Sequence, residues 1–314
     1  MIIDFGGHLY PGSIHSTAIT GNPDATKVGP LLTEPTELLS YIEASPLDRM
    51  VLSQPFYMGS DDVATTEQAN RSLLETVTRH DELYCLAAVP FNAGGEVAAA
   101  ELERAIADGC NGGAVEVSPT SVGLTNRAYE PVLEVADQYG APILVHPKLN
   151  DSIHSDVFDN PYRMNAIFGR ELALMQSLSL IVQEDLLASY PNVRFVYHHF
   201  GGNIASMFGR IQLQFDTDRW ATSTHLKEFD EFARIVRDQV YIDTSGFFGH
   251  ETPLCAALKE FSRTNILFGS DYPYETRTAD EMTALVESVQ SVADESEQRN
   301  ILGRNAQRIL LHEQ

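Results

Sequence analysis

The feature that most constrains this chain is a regular alternation of short apolar runs with longer amphipathic segments. Eight runs have the length and composition of buried strands: residues 1–8, 48–54, 83–89, 113–117, 141–146, 193–199, 240–244 and 266–268. Between them, residues 62–80, 95–107, 126–139 and 165–190 carry apolar positions at helical spacing, with Gly109 and Gly140 placed to end two of the helices. Strands alternating with helices pair in parallel through right-handed crossovers. Eight such units make a closed (β/α)8 TIM barrel, an α/β fold. No linker or compositional shift divides residues 1–314, so a single domain is expected. An open doubly wound sheet is the alternative, but no glycine-rich phosphate turn follows the first strand. The segment after that strand, with Pro11, Gly12, Gly21, Pro23, Gly29, Pro30 and Pro35, is read as a long loop over one end of the barrel.

Charge narrows the partners. The chain has 44 acidic and 21 basic residues, a net charge of -23, which argues against nucleic acid and anionic membrane surfaces. Its basic residues are 4 Lys and 17 Arg, and an acid-rich, lysine-poor surface suits concentrated salt, where ions screen self-repulsion. A halophilic, cytoplasmic protein is expected, acting on a small-molecule substrate, with a homodimer left open as its assembly. Nothing ahead of the first strand has the form of a signal peptide, and no apolar run approaches the roughly 20 residues that span a bilayer. Cys85, Cys110 and Cys255 are widely spaced and read as small buried hydrophobes.

The chemistry gathers at the carboxyl ends of the strands, where a barrel has its mouth. There stand Asp4 and His8, His146, the pair His198–His199, Asp243, and Asp271 in the stretch Asn265-Ile-Leu-Phe-Gly-Ser-Asp-Tyr-Pro-Tyr274. A lone strand-end aspartate caps a turn as readily as it does chemistry. Several imidazoles converging with carboxylates form a set suited to a divalent metal. Lys148 and Arg163, in the loop after the fifth strand, are candidates to hold a substrate carboxylate. The structural alternative has Lys148 solvating the rim and Arg163 paired with Asp156 or Asp159.

His146-Pro147, His199-Phe-Gly-Gly202 and Phe268-Gly-Ser-Asp-Tyr-Pro273 together resemble the motifs of the amidohydrolase superfamily, in the branch of the aminocarboxymuconate-semialdehyde and resorcylate-type decarboxylases. The resemblance runs the length of the chain. It implies a metal held by His8, His146 and Asp271, with zinc the default and manganese the alternative. It also implies an acid, base or polarising role for His199, with Asp271 sharing the proton transfer. Strand alternation sends His198 to the opposite face, so it is read as structural. One departure stands out. Where the resemblance leads one to expect a first-strand ligand there is Gly6; Gly6→His is expected to raise metal content, and His15 is a substitute donor to consider. The implied reaction is non-oxidative decarboxylation of a small aromatic or conjugated carboxylate. Metal-dependent hydrolysis of an amide, lactone or ester uses the same residues, and a barrel that binds ligand without catalysis is the third reading.

Overall fold

The computed structural model describes residues 1–11, 29–117, 123–149 and 162–311. The strands are β1 (Ile3–His8), β2 (Arg49–Ser53), β3 (Leu83–Ala88), β4 (Gly112–Glu116), β5 (Pro142–His146), β6 (Arg194–Tyr197), β7 (Tyr241–Asp243) and β8 (Ile266–Leu267). They form one sheet in chain order, each parallel to the next. β8 returns to β1 through hydrogen bonds from the Phe5 amide to the Phe268 carbonyl (2.8 Å) and from the His8 amide to the Tyr272 carbonyl (2.9 Å). The sheet thus closes as the expected (β/α)8 barrel.

Each strand is followed by a principal helix: α1 (Pro35–Ala44), α2 (Val63–Val77), α3 (Gly95–Asp108), α4 (Glu130–Tyr139), α5 (Arg170–Gln183), α6 (Phe229–Gln239), α7 (Glu251–Glu260) and α8 (Ala279–Val292). A last helix, α9 (Asn305–Leu310), follows α8. Burial separates by strand parity, as the two-residue period of a strand dictates. Phe5, Val51, Leu86, Ala88, Ala114, Leu144, Val196 and Leu267 pack together inside the barrel. Leu52, Cys85, Ala87, Val115, Ile143, Val145, Phe195 and Ile242 belong to the layer between strands and helices. α9 adds Ala306, Ile309 and Leu310 to the inner cluster, and its Asn305 amide nitrogen reaches the Ile266 carbonyl (2.7 Å). The amino-terminal end of the barrel is therefore plugged by α9.

Two expectations need adjustment. The segment after β1 is not all loop: α1 lies in it, starting with a proline at its first turn and burying Leu38, Tyr41 and Ile42. Its upstream prolines and glycines hid that short apolar stripe. The stretch 165–190 is also not continuous, since a π-helical turn (Asn165–Gly169) precedes α5 and Asp185 takes φ 58° ahead of a short helix (Leu186–Ser189). Among the described residues, no helix is long and apolar enough to cross a membrane.

Candidate active site at the barrel mouth

His8 owes its direction to a bulge. The pairing of β1 with β2 passes from Asp4↔Met50 to Gly7↔Leu52, one residue longer on β1. That extra residue shifts the alternation, so His8 turns to the barrel axis although inward-facing Phe5 lies three positions before it. Its Nδ1 lies 3.1 Å from Ser53 Oγ at the end of β2, and its Nε2 lies 2.9 Å from Asp271 Oδ1. His146 follows inward-facing Leu144 by two positions and arrives at the same place without any irregularity.

The sixth strand departs from simple alternation. β6 ends at Tyr197, and His199, Phe200, Gly201, Gly202 and Asn203 all have φ between 53° and 70°. This is a turn of left-handed helix. It costs about 1–2 kcal/mol for each residue that is not glycine, strain of the kind found at functional sites. The expectation that His198 and His199 face opposite sides is thereby corrected, because extended backbone paired with β5 reaches His198, two positions after inward-facing Val196, and the left-handed turn begins at His199 and brings its ring in as well. The ring of His198 sits 4.9 Å from that of His146 and 5.7 Å from that of His8, centroid to centroid. The glycines serve close approach as well as conformation: a Cβ on Gly202 would stand 2.2 Å from the Glu171 carbonyl on α5, and one on Gly246 2.4 Å from the His199 ring.

Asp271 (φ 50°) ends the β8 segment, where Gly269 leaves room for the Asp243 carboxyl, 2.9 Å from a would-be Cβ. One ligand atom from each of His8, His146, His198 and Asp271 lies within 4.8 Å of the others. Burial holds His8 below the usual imidazole range, against the pull of Asp271. Burial, reinforced by the charges of His198 and His8, holds His146 further below it. Neutral imidazoles carry the lone pairs that a metal requires. The Nε2 atoms of His146 and His198 are buried with no hydrogen-bond partner. Leaving such atoms unsatisfied costs about 1–3 kcal/mol each, and a bound cation would account for both. The donor set therefore fits a divalent metal.

His199 is built differently. Its Nδ1 lies 2.8 Å from Glu171 Oε1, and its Nε2 lies 3.8 Å from Asp271 Oδ2. Burial works against its charge, but Glu171 and Asp271 together outweigh burial and raise it well above the ordinary imidazole range. Asp271 shows the converse: burial opposes its charge, yet the nearby His199 and the hydrogen bond with His8 hold it well below the usual carboxylate range. The site thus sets an imidazole raised by two carboxylates, His199, beside two imidazoles lowered by burial, His8 and His146.

Around these groups lies a shell of carboxylates. Asp4 accepts from the amides of Gly6 (2.9 Å) and Ser270 (3.0 Å) and from the Ser270 hydroxyl, tying β1 to β8. Burial, the largest influence on it, lifts its pKa to about 6. It ties the strands beneath the site and is not in the ligand group. Asp243 accepts from His198 Nδ1, from the Ser245 hydroxyl, and from the amides of Ser245 (3.1 Å) and His199 (3.2 Å). Glu275 accepts from the amides of Gly246 (2.6 Å) and Phe248; burial first, then the charge of Asp271, push it up to about 8.

The two substrate-binding candidates fare unevenly. Lys148 is held by Glu116 (Nζ to Oε1, 2.7 Å), an ion pair that competes with any role in binding substrate. Arg163 is exposed. Its suggested partners Asp156 and Asp159, and the substitute donor His15, lie outside the described residues. Sequence reasoning passed over Arg170 and Glu171, which open α5. Arg170 Nε is buried without a hydrogen-bond partner, and its charge is felt by Tyr274, whose ring stands 5.6 Å from that of His8. A signal for Glu171 was present: it precedes Leu174 by three positions and Leu178 by seven, which puts a carboxylate on the apolar stripe of a helix.

Against known proteins, the profile of the amidohydrolase family matches residues 3–311. None of the curated proteins matches the sequence. Among solved structures, the fold is similar to 2,6-dihydroxybenzoate decarboxylase complexed with 2,6-dihydroxybenzoate (TM-score 0.86, 19% identity, 99% of each chain covered). It is also similar to the dihydroxybenzoic acid decarboxylase of Polaromonas with bound manganese and the inhibitor 2-nitroresorcinol (0.84, 19%, 100% of this chain and 97% of that one). The 5-carboxyvanillate decarboxylase of Sphingomonas paucimobilis is a third (0.81, 20%, 99% and 98%).

Proposed function

This chain belongs to the amidohydrolase family, and on that premise we propose that it is a metal-dependent enzyme catalysing non-oxidative decarboxylation of a hydroxylated aromatic or similarly conjugated carboxylate. The observation that carries the reading is His199, raised by half-buried Glu171 and set beside Asp271 at the rim of the cluster formed by His8, His146 and His198. Such a group is a proton donor next to a place for a substrate's oxygens. The decarboxylases of the same fold, that of Polaromonas crystallised with manganese, support the assignment.

His8, His146 and Asp271 would hold the cation, with zinc or manganese as candidates. When bound, it supplies positive charge that neutralises and orients the carboxylate and phenolate oxygens of the substrate. The chain's own residues do the rest. Arg170, with an unused buried N–H, stands where it can bind a substrate anion. His199 donates its Nε2 proton to the ring carbon that bears the carboxylate. The bond from that carbon to the carboxylate then breaks, its electron pair restores the aromatic ring, and carbon dioxide leaves. Solvent returns a proton to His199, and Glu171 keeps Nδ1–H oriented throughout.

The test is turnover by metal-loaded protein of carboxyl-labelled hydroxybenzoates, read as labelled carbon dioxide by NMR, beside a panel of amides, lactones and esters. Labelled carbon dioxide without any organic cofactor is the expected result. Turnover of the hydrolytic panel alone replaces decarboxylation with hydrolysis. No turnover of either panel, with ligands still binding, leaves a binding barrel.

A further inference from the structure

We infer that His198 is a metal ligand and occupies the place of the donor that β1 lacks at Gly6, so that the fourth protein ligand has moved from the first strand to the sixth. The inference rests on the metal site proposed above and concerns which residues complete it.

Beyond the bulge, Gly6 and His8 share a face of β1, because they are two positions apart. A side chain at position 6 would therefore enter the same cavity as His8. A Cβ built on Gly6 points there, and the atom it meets first is Cε1 of His198, at 3.0 Å. Ser270 N and Asp271 N follow at 3.3 and 3.4 Å. The imidazole from β6 thus fills the volume that a longer side chain on β1 would need. Position 6 and position 198 compete for one space.

The ring is also prepared to coordinate. Its Nδ1 faces Asp243, whose carboxylate is held in turn by the Ser245 hydroxyl and by the amides of Ser245 and His199. A carboxylate in that position fixes Nδ1 as the donor nitrogen and leaves a lone pair on Nε2, as the carboxylate partners of metal-bound histidines commonly do. That Nε2 is buried, has no hydrogen-bond partner, and lies with donor atoms of His8, His146 and Asp271 in one group. Three imidazoles and one carboxylate form a nitrogen-rich set, which favours zinc over manganese.

The experiment measures zinc affinity by competition with a chromophoric chelator, using metal-stripped wild type, His198→Gly, Gly6→His and the double variant, with folding checked by circular dichroism. His198→Gly should weaken zinc by about 100-fold or more, beyond the 10–100-fold typical of losing an outer-shell partner. Gly6→His should also weaken zinc rather than strengthen it, because the two rings collide. The double variant should return to within about tenfold of wild type, the equivalent of 1.4 kcal/mol. Wild type that binds zinc while His198→Gly binds it equally well overturns this inference and leaves the metal site standing. A double variant no tighter than His198→Gly overturns the exchange of places. Wild type that binds no zinc and no manganese removes the metal site itself. Should His198→Gly fail to fold with Asp243 unpaired, anomalous diffraction from zinc-loaded wild type decides. His198 Nε2 at about 2.0–2.1 Å from the ion supports the inference, and Nε2 outside the coordination shell overturns it.

Discussion

Glu171→Gln is the perturbation that reads most directly on the proposed proton donor. Glu171 Oε1 lies 2.8 Å from His199 Nδ1 in a pocket where both side chains are largely buried, 16% and 7% exposed. At that separation and an effective dielectric of about 20, the gross attraction is about 6 kcal/mol. Burial of both partners consumes part of it, and a neighbouring opposite charge commonly moves a pKa by about 1–3 units, or about 1.4–4 kcal/mol. Asp271 also raises His199, but a bound cation would share the Asp271 charge, which leaves Glu171 the larger lever. Glutamine keeps the shape and one acceptor and removes the charge. The sign is then determined: Glu171 stabilises the protonated imidazole, so its neutralisation lowers the His199 pKa. Activity that needs the imidazolium should fall away at a pH about 1–3 units lower than in wild type, with kcat reduced roughly tenfold for each unit above the new midpoint. Rate against pH gives the limb, and the 1H–13C signal of the His199 imidazole gives the midpoint without any substrate. A His199 midpoint that stays in place in the variant would refute the charge argument. A midpoint that moves while the rate limb does not would remove His199 as the proton donor.

Two further outcomes follow from neighbouring features. Arg170→Met should raise KM for a carboxylated substrate by about tenfold or more, the worth of a charged hydrogen bond, with kcat changed less; an unchanged KM would show that its buried N–H serves the fold instead. With a net charge of -23 and 4 lysines, the melting temperature should climb from about 0.1 M towards multimolar potassium chloride as carboxylate repulsion is screened. A flat or falling curve would rule out adaptation to salt.

Much of the fold was legible because it depends on short-range pattern. Strand parity and helical spacing are local properties, and all eight strands fall within the runs read from sequence, apart from a one-residue shift at the start of β4. Asp271, His146 and His8 were legible for a related reason: residues at strand ends in a barrel share one mouth whatever their separation in the chain. Two kinds of feature were not legible. Lys148 was a fair candidate until the structure showed Glu116, 32 positions away, within 2.7 Å of it; no local rule pairs residues across adjacent strand ends. Ser53 orients His8 for the same non-local reason.

The histidine pair shows how a correct rule fails at a functional site. Alternation through β6 is sound as far as His198, and had the strand continued, one imidazole would have faced the helices. Instead the chain enters a left-handed turn in which three of five residues are not glycine, at a cost of several kcal/mol. Favourable contacts must offset that cost. Asp243 binds His198 and the His199 amide, Glu171 binds the His199 ring, and Gly202 lets α5 come close enough to bring Glu171 there. The two glycines of the His-x-Gly-Gly motif were visible in the sequence, and in hindsight they carried the warning, since consecutive glycines after a buried strand mark backbone that leaves the β region. The same stretch unites the two peculiarities of this chain. His198, still extended and two positions after inward-facing Val196, enters the barrel by simple alternation and places an imidazole over Gly6, while the turn brings His199 in beside it; a residue that looks like a lost ligand becomes the space that His198 requires.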